Sequence, residues 1–230
     1  MSFEAFATEP LFGLTLTIAA YAAALLLQKK WSFLHPLLIC SIAIIAVLMI
    51  WEIPYESYRK GADILVFLLG PATVALGIPL YKNAEKIKSK IIPIIAGITT
   101  GSISALLLSA AFVWMLGGSS ELIATMMPKS ATSPVALEIS RQAGGIPELT
   151  AVLTVLTGLI GSIAGPALLR FAGVRDDISI GTAMGTAAHG IGTARIIQDS
   201  ELAGSTSGFA MGISAILTSL LFIPIYSWFH

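Results

Sequence analysis

Charge is scarce in this chain, cysteine nearly absent and histidine rare. Only 11% of its 230 residues are Asp, Glu, Lys or Arg, against about 25% in a typical soluble domain. A surface so poor in charge argues against a water-soluble body. The 13 basic and 13 acidic side chains cancel, and no basic block marks a nucleic-acid partner. The single Cys40 lies in an apolar run, which leaves no intrachain disulfide and no cysteine metal site. His35, His189 and His230 are scattered and no HExxH occurs, so no metal is expected. No GxSxG elbow and no P-loop GKS or GKT is present. Asp63, Asp176 and Asp177 lie near the ends of apolar runs, where solvated charges sit. Composition does not by itself exclude an intramembrane protease, but no catalytic residue and no cofactor is predicted, and the chain reads as a non-enzyme.

What is present is apolar. Hydrophobic residues make up 56% of the chain, and the mean hydropathy is +0.87. A membrane-crossing helix needs roughly 20 mostly apolar residues. Such runs are read at Pro10 to Gln28, Pro36 to Trp51, Gly61 to Tyr81, Ile91 to Leu116, Leu149 to Leu169 and Gly208 to Trp228. Two less regular stretches lie among them, Glu121 to Ala143 and the glycine-rich Asp176 to Ser200. The expectation is an all-α, polytopic transmembrane bundle of about 6–8 membrane segments, forming a single domain over 1–230. WEIPYESYRKGAD, after the second run, reads as a polar interfacial connection. The N-terminus lacks the basic start of a cleaved signal peptide, so the first run is expected to be retained.

Lys82, Lys86, Lys88 and Lys90 form the strongest basic cluster and place their connection in the cytoplasm. Lys29 and Lys30 then share that side and the N-terminus lies outside, whereas Arg59 and Lys60 fall on the wrong side. Beyond the fourth run, single crossings and turn-backs both fit. A weak internal repeat is also visible. Val74-Ala75-Leu76 precedes Gly101-Ser102-Ile103 by the same interval, within one residue, as Val135-Ala136-Leu137 precedes Gly161-Ser162-Ile163. Each copy reads as a broken helix followed by a continuous one, a pattern that points to transporter binding sites.

Breaks at membrane depth are informative because every backbone polar group there needs a partner. The first is Gly70-Pro71-Ala72-Thr73, where Pro71 frees a carbonyl one turn back. It reads either as a site-lining discontinuity or as a packing kink. The second is Pro128-Lys129-Ser130-Ala131-Thr132-Ser133-Pro134. Pro134 suits the first turn of a helix capped by Thr132 or Ser133. That helix start, with Lys129, favours an anion; the plainer reading is a solvated loop. The third runs from Gly181 to Arg195, with breaks expected at Gly190 and Gly192. Its small residues suit close helix packing, while His189 and Arg195 are ionisable at membrane depth. Arg195 can equally snorkel to a headgroup. Thr73, Lys129, Ser130, Thr132, Ser133, Thr186, His189 and Arg195 form the predicted binding set.

LLGPATVALGIPLYKN, MPKSATSPVALEIS, GPALLR at Gly165 to Arg170 and MGTAAHGIGTAR at Met184 to Arg195 carry a resemblance to the LrgB/CidB family of bacterial membrane proteins, over essentially the whole chain. The resemblance implies a multi-pass protein of the bacterial cell membrane. One description it brings is an antiholin or holin-like modulator of murein hydrolase export and cytolysis, paired with a small LrgA/CidA-like membrane protein. The other is a transporter, through the plastid glycolate/glycerate translocator and relatives linked to pyruvate. The residues themselves favour transport of a small carboxylate. Lys129, Ser130, Thr132 and Ser133 would bind it, Arg195 would add a second charge, and His189 would couple a proton, since imidazole changes charge near neutral pH. The small-residue faces also fit a homodimer.

Overall fold

The computed structural model describes residues 9–31, 35–75 and 77–229, and of Pro10, Leu69, Thr73 and Phe229 only the backbone. Every regular element among them is helical, as the sequence predicts. Among the described residues five helices are long and apolar enough to cross a membrane, and a sixth apolar helix is shorter. The chain divides into two compact units, Met1–Ala75 and Leu76–His230.

The first unit holds α1 (Pro10–Lys30), α2 (Pro36–Ile50) and α3 (Tyr55–Ala75). A proline opens both α1 and α2, where a missing amide costs nothing. Lys29 and Lys30 end α1 at the negative pole of its dipole. Ala24, Cys40 and Ile44 form one small core, Phe12 and Ile53 another. Gly13 lies against the Tyr58 carbonyl, so α1 and α3 touch where a β-carbon would not fit. Thr17 and Tyr58 hydroxyls bond at 2.9 Å beside this contact.

Two expectations fail in α3. Of the polar stretch taken for a connection, only Trp51 to Pro54 links the helices; Tyr55 to Asp63 forms the first turns of α3, with Arg59 and Asp63 3.9 Å apart at helical spacing. Charge does not prevent a helix; it only keeps that end wet. The break predicted at Gly70 and Pro71 also does not occur, because the helix continues to Ala75. Pro71 deprives the Phe67 carbonyl of its helical donor, but a proline's φ suits a helix, so one lost bond kinks rather than ends it. The side chain of Thr73, a predicted ligand, lies outside the described residues, as does Leu76.

The second unit begins with two short helices, α4 (Gly77–Lys82) and α5 (Ala84–Ser89), then the long α6 (Ile91–Met115). After it come α7 (Ser120–Met126), a 3₁₀ turn (Met127–Ser130) and α8 (Ser133–Gln142). The chain ends with α9 (Pro147–Phe171), α10 (Asp177–Ile196) and α11 (Glu201–Phe229). α11 starts well before Gly208, where the apolar run begins, because its first turns use small residues to pack on α10. Gly181 and Gly185 sit against the Ala203 and Ser207 backbones.

α6 and α11 run in the same direction. Ile94 and Ile98 pack with Ala210, Ser102 bonds Ser214 at 3.1 Å, and Leu106, Ala110 and Val113 pack with Phe222. α9 runs the opposite way to the first arm of α10, since Gly158, Gly161 and Gly165 meet His189, Ala188 and Met184 in reverse order.

The two irregular stretches are hairpins that go in and come back. In the first, Thr125 of α7 accepts from the Ile146 amide at 2.9 Å. Thr150, in the first turn of α9, donates to the Thr125 carbonyl or the Ser140 hydroxyl, at 3.0 and 2.7 Å. Inbound α7 and outbound α8 therefore meet the same end of α9, and the 3₁₀ turn is the tip. In the second, α10 loses helical geometry at His189, where φ is +39°. A β-carbon on Gly192 would lie 3.0 Å from the Met184 carbonyl oxygen. Eight residues of unbroken helix would separate them by about 12 Å. Ser200 then donates to Asp177 at 2.7 Å, closing the hairpin at its base. α9, about 37 Å long at 1.5 Å per residue, separates the two bases, so the hairpins open at opposite ends of this unit and point toward each other.

Candidate functional site

The site lies where those tips approach. A cleft of about 700 Å³ runs between α6, the first arm of α10 and the tip of the first hairpin. Gly97, Thr100, Gly101 and Ser104 of α6 face Thr182, Ala183 and Thr186 of α10 across it, and Ser130 reaches it from the tip. Glycine is needed for this approach, because a β-carbon on Gly101 would come within 2.9 Å of the Thr186 methyl. Lys90 and Asp176 stand at one end of the cleft.

Most hydroxyls here are already donors to their own helices. Thr182 gives to Ile178 and Thr186 to Thr182, both at 2.7 Å. Thr100 gives to Ala96 at 2.8 Å and Ser104 to Thr100 at 2.5 Å. Such groups hold helix packing without buried cost and offer lone pairs to the cleft. Ser130 has no such intrahelical bond among the described residues, so its hydroxyl can turn toward a ligand. Beside it, the half-buried Lys129 ammonium donates to Ser109 at 2.7 Å, while Ser109 donates to Ala105 at 2.6 Å. Among the described residues no carboxylate pairs with Lys129. A poorly hydrated cation held only by a neutral hydroxyl is a good receptor for an anion.

The structure brings together part of the predicted set. Ser130 and Thr186 share the cleft; Lys129 adjoins Ser130 in the chain but does not itself line the cleft, its ammonium being on Ser109. Thr132 and Ser133 begin α8, but Thr132 makes no side-chain cap and neither lines the cleft. Pro128 is buried in the tip and Pro134 opens α8, so this predicted break is real. In the third segment the bend falls on His189 rather than on Gly190 or Gly192. Gly192 instead lets the returning arm lie on Ala188 and Met184. Arg195 does not join the cluster: it pairs with Asp199 at 2.8 Å near the hairpin's open base, where a partly exposed cation finds a carboxylate one turn on.

His189 is buried, and its Nε2 lies 3.0 Å from the Thr154 carbonyl of α9. A carbonyl only accepts, so Nε2 carries the proton. Positive φ at a residue other than glycine costs of order 1–3 kcal/mol, offset here by that bond and by Thr193, which donates to the His189 carbonyl at 2.9 Å. His189 does not line the cleft; it fixes the hairpin tip against α9. Among the described residues no cluster of His, Cys, Asp and Glu could hold a metal.

Sequence reasoning missed Ser109, Thr100 and Ser104. Gly97, Thr100, Gly101 and Ser104 recur at three- and four-residue intervals on one face of α6, which was the available signal.

The family model described as "LrgB-like family" matches residues 17–228. "Uncharacterized protein YxaC" of Bacillus subtilis (strain 168) is 38% identical over 218 residues, covering 94% of each chain. "Holin-like protein CidB" of Staphylococcus aureus (strain Mu50 / ATCC 700699) is 37% identical over 219 residues, covering 94% of this chain and 95% of its own. "Uncharacterized protein YwbG" of B. subtilis is 35% identical over 208 residues, covering 90% and 92%. No solved structure matches.

Proposed function

The chain belongs to the LrgB-like family, and from that premise we propose that it is a multi-pass protein of the bacterial cell membrane that carries small monocarboxylates such as glycolate, glycerate or pyruvate. The observation supporting this reading is the meeting of two half-depth hairpins at a polar cleft beside Lys129, a half-buried cation with no carboxylate partner among the described residues. Helices interrupted at mid-membrane are how many transporters bring backbone dipoles and polar side chains to a substrate. Lys129 and Ser130 are the donors for the carboxylate, Thr186 lines the opposite wall, and His189 holds that wall in place. No bond-breaking chemistry is involved.

The test is uptake of labelled glycolate, glycerate or pyruvate into proteoliposomes, with and without a small LrgA/CidA-like partner. Saturable uptake supports the reading, and its absence in both preparations sinks it.

A second reading has its own support. The staphylococcal relatives carry the name "Holin-like protein CidB", which favours a modulator of murein hydrolase export and lysis more directly than any comparison favours a carboxylate. Such a protein would act through association, with a second copy or with the LrgA/CidA-like partner. Size-selective leakage of entrapped solutes without substrate saturation would support it.

A further inference from the structure

We infer that the cleft is a one-sided aqueous vestibule, open to the cytoplasm and floored near mid-membrane by the tip of the first hairpin. The sidedness rests on chain direction and charge alone; only its occupancy by a carboxylate rests on the proposed function.

α6, α9 and α11 each exceed the roughly 20 residues a crossing needs. With both hairpins returning to the side they left, the α6 start, the α9 end, the base of the second hairpin and the α11 start share one membrane face. That face holds the four lysines from Lys82 to Lys90, with Arg170, Arg175 and Arg195. Lys82 lies 3.9 Å from Glu201 there, which ties the lysine-rich connection to the start of α11. At the other face, the basic side chain of this unit among the described residues is Arg141, with Lys129 at the tip between. Basic residues near span ends mark the cytoplasmic side, while acidic ones count for little. The second hairpin therefore dips in from the cytoplasm and the first from outside.

The cleft follows this polarity. It starts at Lys90 and Asp176 on the basic face and ends at Ser104, Ala105 and Ser130. From Lys90 to Ser104 along α6 is about 21 Å at 1.5 Å per residue, past the middle of a 30 Å hydrocarbon layer. Beyond that floor Leu106, Met127 and Pro128 are all buried, which closes the path outward.

The experiment uses the full chain with Cys40→Ala as background, then single cysteines: Ser179→Cys at the mouth, Ser104→Cys at the floor and Glu121→Cys at the opposite face. Thr100→Cys replaces Ser104→Cys if the latter does not assemble. A membrane-impermeant maleimide is applied to right-side-out and inside-out vesicles. Expected is labelling of the mouth and floor cysteines in inside-out vesicles with loss of labelling in right-side-out ones, and the reverse for Glu121→Cys. The inference is overturned if the floor cysteine reacts from outside, if it fails to react while the mouth cysteine does, or if mouth and Glu121→Cys react from the same face. Added pyruvate separates the two ideas. Protection of the floor cysteine supports both. Sided labelling that pyruvate does not slow supports the vestibule and counts against the carboxylate reading.

Discussion

Ser200 donates its hydroxyl to the Asp177 carboxylate across 2.7 Å, and in the residues between them the chain travels to mid-bundle and back. Ser200 also accepts from the Ala203 amide at 3.3 Å, so it staples the hairpin base and caps α11. Ser200→Ala removes both bonds. It should destabilise by about 1–2 kcal/mol, the range for a lost cap, read as a lower thermal midpoint in detergent. Asp177→Asn keeps the acceptor but not its charge and should cost less. Equal, negligible effects would show that the base is held by other contacts.

His189 combines a strained backbone with a buried ring, and substitutions can separate the two. His189→Gly relieves the positive φ but loses the bond to Thr154, so uptake should fall with little change in thermal midpoint. His189→Val keeps the strain, adds a branched β-carbon and leaves the Thr154 site empty, so both uptake and stability should fall. A valine variant as stable as the glycine one would argue that the bend is not strained.

Two glycines of α9 make a matched pair. An alanine β-carbon at Gly158 would lie 2.6 Å from His189 Cε1 and 2.9 Å from Ile191 Cδ1, where a ring held by its hydrogen bond cannot easily give way. At Gly165 it would meet the Met184 sulfur at 2.6 Å, on a side chain that can swing aside. Gly158→Ala should therefore cost about 1–3 kcal/mol of overpacking and impair uptake, with Gly165→Ala milder in both. Melting and uptake of the two variants side by side decide it.

Lys129 separates the two functional readings. A carboxylate carrier should lose uptake with Lys129→Gln and retain part of it with Lys129→Arg, while both variants still assemble. A protein acting only through helix association should keep its leakage or lysis phenotype in both. Ser109→Ala is the companion test: it takes away the ammonium's neighbour at 2.7 Å and should weaken uptake less than Lys129→Gln.

The membrane class was legible in the sequence because hydrophobicity is a bulk property, and the long spans came within a few residues of α1, α6 and α9. Pro128 and Pro134 marked a true break because two prolines there frame residues that cannot continue one helix. Gly70 and Pro71 misled, since a single proline can ride inside a helix that lipid otherwise favours. The return of both hairpins was not legible. It depends on Thr125 meeting Ile146 and on Ser200 meeting Asp177, pairings that no local pattern encodes. Arg195 misled for the opposite reason: Asp199, one helical turn on and visible in the sequence, claims it.

The depth of the cleft has an electrical consequence. If the cleft is the water-filled cytoplasmic vestibule inferred above, the cytoplasmic potential would extend from Lys90 to the floor at Ser104, and the membrane voltage would fall mainly across the short stretch of protein beyond Ser130. A unit charge crossing the whole field exchanges about 2.3 kcal/mol per 100 mV. Here most of that work would be done within a few residues of Lys129. An anion moving past the tip, or a small tilt of the tip itself, would then register as an electrical signal far larger than the distance moved.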